Sequence, residues 1–255
     1  TAQRFLLYSL MNLGEISELC RRFPIILAAA RAQGNRYLTT DLRTAMNIVW
    51  LVDDNHDRAR EEVTDALGEW SHRGFLLQHY YALQALTHID LYTGGAVSAS
   101  RRVEEQWRDL KRSLLLRIQT VRIEALYFRA RCALAAASVG ENVADGLRLS
   151  ERMAHRIARE KMRWSKPVAS LVFAGTASLR GDRARACDLL SSAAEDFARV
   201  DMALYAATAR RRLGELRAAG DAGRRLIEES DLWMMSQDIK NPRKMAQMLA
   251  PGFPE

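Results

Sequence analysis

The sequence predicts an all-α fold, an α-solenoid of about six stacked antiparallel helix pairs with a short C-terminal capping helix. Three observations predict it. Short turn signals recur, from Gly14-Glu15 through Asp53-Asp54-Asn55, Gly94-Gly95, Gly140-Glu141 and Gly181-Asp182 to Gly220-Asp221. Counted from Gly14 through Asp54, Gly95, Gly140, Gly181 and Gly220, the steps are 40, 41, 45, 41 and 39 residues, a near-constant period that marks a repeat array. Between the signals the apolar residues follow a helical period: Ala59, Val63, Ala66, Leu67 and Trp70 fall on one face, as do Ala186, Leu189, Leu190, Ala193 and Phe197. With 48% apolar and 27% charged residues, the chain can bury a sizeable core.

Each element has a local reason. Gly ends one helix because it tolerates the left-handed conformation, and Asp starts the next by capping orphan N–H groups. Helices are predicted near 2–12, 15–33, 36–52, 57–71, 75–92, 97–112, 114–138, 143–161, 166–179, 182–199, 202–218 and 221–236. Ile48 to Val52, the best strand candidate, continues a helical pattern that starts near Thr40. Pro167 suits a first helical turn, whereas Pro24 falls inside the second helix and leaves a boundary there open. A final helix over 242–249 has Asn241 as N-cap, Pro242 as its first residue and Met245, Met248 and Leu249 on one face. One helix pair cannot bury its apolar face alone, so the pairs must stack, and 1–255 reads as a single domain. The chain opens inside a helix-like pattern without an initiator Met, and the expectation is a piece of a longer polypeptide.

Composition removes several function classes. No apolar run approaches the roughly 20 residues of a membrane span, and no secretion signal is visible. Cys20, Cys132 and Cys187 lie far apart without CxxC spacing, which argues against a disulfide framework and a cysteine zinc site and fits a cytoplasmic protein. No cofactor is implied. The net charge of +7 is uneven: residues 101–166 carry 16 Lys/Arg against 8 Asp/Glu, while the flanking regions nearly balance. Such local basicity suits an acidic protein face, a phosphorylated ligand or a nucleic acid; the plainer reading is a solvated face.

Small residues recur where helices must approach. Gly181, Ala186 and Ala193 have the spacing of the tetratricopeptide pattern; Asp54, Ala59 and Ala66 repeat it, and Ala99 keeps one position from Gly94. The period near 40 exceeds the usual 34 and calls for longer helices. Several runs, Trp50-Leu51-Val52-Asp53-Asp54, Trp70 to Tyr80, Leu91-Tyr92-Thr93-Gly94, Arg112 to Gln119, Asp201 to Ala207, Arg210 to Glu215 and Asn241 to Phe253, resemble the C-terminal tetratricopeptide-like region of large bacterial eukaryotic-type serine/threonine protein kinases. In that family a kinase domain and a signal-transduction ATPase module precede the repeats. The resemblance covers nearly the whole chain and implies a regulatory or sensor region. Kinase and P-loop signatures are absent from the sequence, so no catalytic residue carries over and no enzymatic activity is expected.

The candidate partner-binding residues are basic and aromatic. Arg148, Arg152, Arg156, Arg159 and Arg163 step by 4, 4, 3 and 4, a stripe that would dock an acidic partner such as another domain of the parent protein. Like charges at this spacing repel by only about 0.2–0.5 kcal/mol per pair, so a stripe without function also persists. Tyr80, Tyr81 and Tyr92 carry polar tips and would line a concave groove that takes a peptide or a helix. The five tryptophans read as packing anchors, and Met234, Met235, Met245 and Met248 as a cap on the last repeat or an adaptable contact surface. His56, His72, His79, His88 and His155 form no HExxH, and no metal site is expected. The leading function is protein or peptide recognition on a non-catalytic scaffold. The alternative is nucleic-acid or phosphorylated-ligand binding through 101–166.

Overall fold

The computed structural model describes residues 2–70 and 74–253, and His72 lies outside them. Every regular element among the described residues is a helix, with no strand. The order is α1 (Ala2–Leu13), α2 (Ile16–Ala32), α3 (Arg36–Ala45), α4 (Ile48–Val52), α5 (His56–Gly68), α6 (Leu77–Tyr92) and α7 (Ala96–Arg112). A 3₁₀ turn (Leu115–Arg117) precedes α8 (Gln119–Ser138), α9 (Val143–Ala158), α10 (Ser165–Leu179), α11 (Arg183–Arg199), α12 (Ala203–Leu216), α13 (Asp221–Ser236) and α14 (Pro242–Leu249).

Consecutive helices pack side by side, consistent with an α-solenoid. The turns use the left-handed cap: Gly14, Asp54, Gly94, Gly140 and Gly181 all have positive φ. Each is followed by a bond that reaches five residues back, as from Asn55 N to Trp50 O (2.9 Å), Glu141 N to Ala136 O (3.0 Å) and Asp182 N to Ala177 O (2.9 Å). Gly220 differs, being the extended N-cap of α13. Ala59, Ala66, Ala99, Ala186 and Ala193 are fully buried where neighbouring helices meet.

Two layers follow from the burial pattern. Inner helices α6, α8, α10 and α12 are buried on most sides, whereas α5, α7, α9, α11 and α13 bury one stripe each. A helix apolar all round belongs inside, and a striped one covers it.

Some expected boundaries move. The helix expected over 36–52 breaks at Met46-Asn47, where Thr44 Oγ bonds Thr40 O (2.8 Å) and Asn47 Nδ2 bonds Ala59 O (2.9 Å), side-chain bonds that compete with the helical ladder. The helix expected from 114 starts at Gln119, because Leu114 takes a left-handed conformation. The one expected to reach 161 ends at Ala158. Pro24, by contrast, is accommodated within an unbroken α2.

The two ends of the array meet. The Gln237 side-chain oxygen accepts from Ile16 N (3.0 Å) and Ser17 N (3.3 Å), and Lys240 N donates to Val52 O (2.9 Å). At Gly14 the backbone of α12 comes so near that an added Cβ would lie 2.7 Å from Leu204 N. Helix α14 has its expected bounds but does not simply cap the last pair; it packs on α6, α12 and α13.

Candidate functional site: the inner face and the arginine face

The inner helices surround the segment 237–253. Met245, Met248 and Leu249 are buried, as the periodicity required, and Phe253 follows them into the core. Polar groups hold the segment at both ends. Near its start, Lys244 Nζ lies 3.0 Å from Asp54 Oδ1, Asn241 Nδ2 lies 3.2 Å from Asp54 Oδ2, and Lys240 Nζ lies 3.0 Å from Asp53 Oδ1. Burial pushes the Asp54 carboxyl up, but its bonds from Lys244 and Asn241 outweigh this and hold it below the usual carboxylate range. At the far end, Arg131 Nη1 donates to Met248 O (2.8 Å) and the Tyr127 hydroxyl to Leu249 O (2.6 Å). These are the orphan carbonyls of the last helical turn, which otherwise need water. Beyond them the chain crosses α10 at Gly175, where a Cβ would meet Pro251 O at 2.7 Å.

Two cavities flank the segment. On one side a bowl of about 840 Å³ opens between the turns at Gly94, Val139 and Gly181, with Pro251, Gly252 and Phe253 among its walls. On the other a smaller pocket of about 70 Å³ is lined by Glu124, His88, Arg131, Gln84 and Trp164, with Leu249 against it. Both Glu124 oxygens accept, one from the Tyr8 hydroxyl and one from the Tyr80 hydroxyl (3.0 Å). Burial nevertheless raises the Glu124 carboxyl above its ordinary range. Burial and the neighbouring Arg131 push the His88 imidazole well down; its neutral Nε2 can accept from Arg131 Nη2 at 2.8 Å.

The aromatic candidates therefore do not line an open groove. Tyr80 is fully buried against Glu124 and Phe128. Tyr92 is 1% exposed beneath Lys244, whose ammonium sits 5.4 Å from the ring centroid. Tyr81 accepts from Arg4 Nη2 (2.6 Å). Trp50 and Trp107 serve as anchors, Trp50 edge-on to Phe23 and Trp107 beneath the Arg129 guanidinium at 4.2 Å.

Arg148, Arg152, Arg156, Arg159 and Arg163 are all exposed. The first three lie on α9, Arg159 is its C-cap, and Arg163 stands in the turn before α10, so the stripe is shorter than its spacing implied. Arg148 pairs with Asp145 (2.5 Å). Arg156 lies near Glu160, whose carboxyl the Arg122 guanidinium holds below its usual range. The ion pairs and hydrogen bonds of the described residues leave Arg152, Arg159, Lys161 and Arg163 without a carboxylate.

Among the described residues no group of His, Cys, Asp and Glu is arranged to hold a metal ion, and no helix is long and apolar enough to cross a membrane. The groups that hold 237–253 escape a sequence reading. Asp53-Asp54 looks like ordinary turn chemistry, and Arg131 is one of two charges, with Arg129, inside the otherwise apolar run from Ala125 to Ala137. No protein-family model matches the chain, nor does any curated protein or solved structure.

Proposed function

We propose that this chain is a non-catalytic, tetratricopeptide-like scaffold of about six helix pairs for protein recognition, the regulatory or sensor region of a bacterial serine/threonine kinase or related signalling ATPase. The recurring turns and fully buried alanines support the repeat reading. The observation that carries recognition is the arginine face, where Arg152, Arg159, Lys161 and Arg163 are exposed and lack internal counter-charges. It docks an acidic protein surface, such as another domain of the parent protein. In region 101–166, Trp107, Tyr127 and Phe128 are buried and Trp164 is half-buried, so stacking platforms for single-stranded nucleic acid are lacking there.

The test is fluorescence anisotropy with a labelled glutamate-rich peptide and a labelled single-stranded oligonucleotide. Arg152→Ala/Arg156→Ala/Arg159→Ala is expected to weaken peptide binding at least tenfold. Unchanged peptide binding contradicts the reading. Oligonucleotide binding that falls by about 10³–10⁵ between 50 and 200 mM salt favours the nucleic-acid alternative.

A further inference from the structure

The inner face holds 237–253 as a receptor holds a helical peptide. Its elements form an ordered set: an acidic pair, Asp53 and Asp54, at the basic start of the segment; an apolar slot filled by Met245, Met248 and Leu249; and a buried arginine and tyrosine bonded to main-chain carbonyls at the far end. The carbonyl contacts read no side chain, so they serve any helix ending there. Specificity comes from the acidic end and the apolar slot, the logic of helix-in-groove recognition. The ion pairs at the acidic end are partly exposed, with Lys240 and Asp53 63% and 65% accessible. Solvent can therefore reach them and begin an exchange.

We propose that the inner face is a binding groove for a partner's short helical segment, with lysines flanking its first turn and Met or Leu at i, i+3 and i+4. The chain's own 237–253 is its resident competitor. A partner segment of this chemistry replaces α14 and reuses Asp53, Asp54, Tyr127 and Arg131. Displacement without replacement leaves five large apolar side chains, Ile239, Met245, Met248, Leu249 and Phe253, exposed at about 1.5–3 kcal/mol each, so the groove is kept filled by one occupant or the other. This goes beyond the arginine-face reading and uses the opposite layer of the molecule.

The experiment titrates a labelled synthetic peptide of residues 237–253 against the full chain and against Lys240→Glu/Lys244→Glu. That variant sets like charges beside Asp53 and Asp54 and weakens the resident segment without altering the groove. The peptide is expected to bind the variant at least tenfold more tightly than the parent chain. Adding Gly175→Ala, whose Cβ obstructs Pro251 O in either occupant, should remove the gain. A folded variant by circular dichroism that takes up no peptide overturns the proposal. So does a variant that unfolds as a whole, since the segment is then core, and so does one that dimerises by exchanging its own segment. Glutamate-peptide binding at the arginine face should be the same in the charge variant, so the two readings fail separately.

Discussion

The two halves of the array join neighbouring helices by different chemistry. From α1 to α7 buried charges are added to the small-residue contacts at Ala59, Ala66 and Ala99. Arg43 Nε meets Glu62 Oε2 at 2.6 Å with both side chains under 8% exposed, and Arg58 and Arg31 also reach Glu62. Arg4 meets Asp41 at 2.5 Å, and Arg60 and Arg102 converge on Asp90 at 2.8 and 2.9 Å. From α8 to α12 the joints are small residues. Ala125, Ala130, Ala133 and Ala135 to Ala137 are all buried in α8, and the Ser150 hydroxyl of α9 reaches Ala130 O at 3.1 Å. Consecutive helices are thus joined with and without added charge. Charge joints withstand changes of size but not loss of a partner; small-residue joints withstand pH but not added volume.

The largest expected effect breaks a charge joint. Glu62→Ala leaves Arg43 buried without its closest carboxylate, and the denaturation midpoint should report a loss of about 3–5 kcal/mol. Pairing it with Arg43→Met should restore most of this, because a packed apolar pair replaces a buried ion pair at little cost. Next is volume in the second half: Ala193→Leu, at a fully buried position, should cost about 1–3 kcal/mol by the same measurement.

Charge also gives the interior a pH signature. His88 titrates well below its ordinary value when folded, so the unfolded chain takes up its proton first as pH falls. Stability should drop below the unfolded histidine pKa of about 6.5, by at most about 1.4 kcal/mol per pH unit, and His88→Gln should flatten that fall. Glu124 and Asp41, raised by burial, act oppositely: their protonated forms favour the fold, so stability falls as pH rises from their unfolded values through the raised ones. The smallest effect is at the surface. Arg129→Ala removes the cation over Trp107 and the fork to Glu104, and should cost about 1 kcal/mol.

What was legible follows from which forces are local. Gly181-Asp182 ends one helix and caps the next through bonds within a few residues, so turn chemistry alone places it. Ala186 and Ala193 lie inward because small residues at that spacing serve close helix approach. The residues Met245, Met248 and Leu249 announce a buried face on α14 but not what covers it. That cover comes from α6, α12 and α13, and Gln237 meets α2 across 221 residues of sequence. Tyr80 and Tyr92 were misplaced because a hydroxyl satisfied by Glu124, or a ring covered by Lys244, looks in sequence like one facing a groove. Arg163 left its stripe because the helix ends at Ala158 without a Gly or Pro to announce it.

Small-angle scattering tests the central claim, that the array curls until its ends meet around the C-terminal segment. A closed body of 255 residues should have a radius of gyration of about 18 Å and a compact distance distribution. An extended profile with a clearly larger radius in a monodisperse monomer would mean that the ends stand apart, and the inner face described here would not exist in solution.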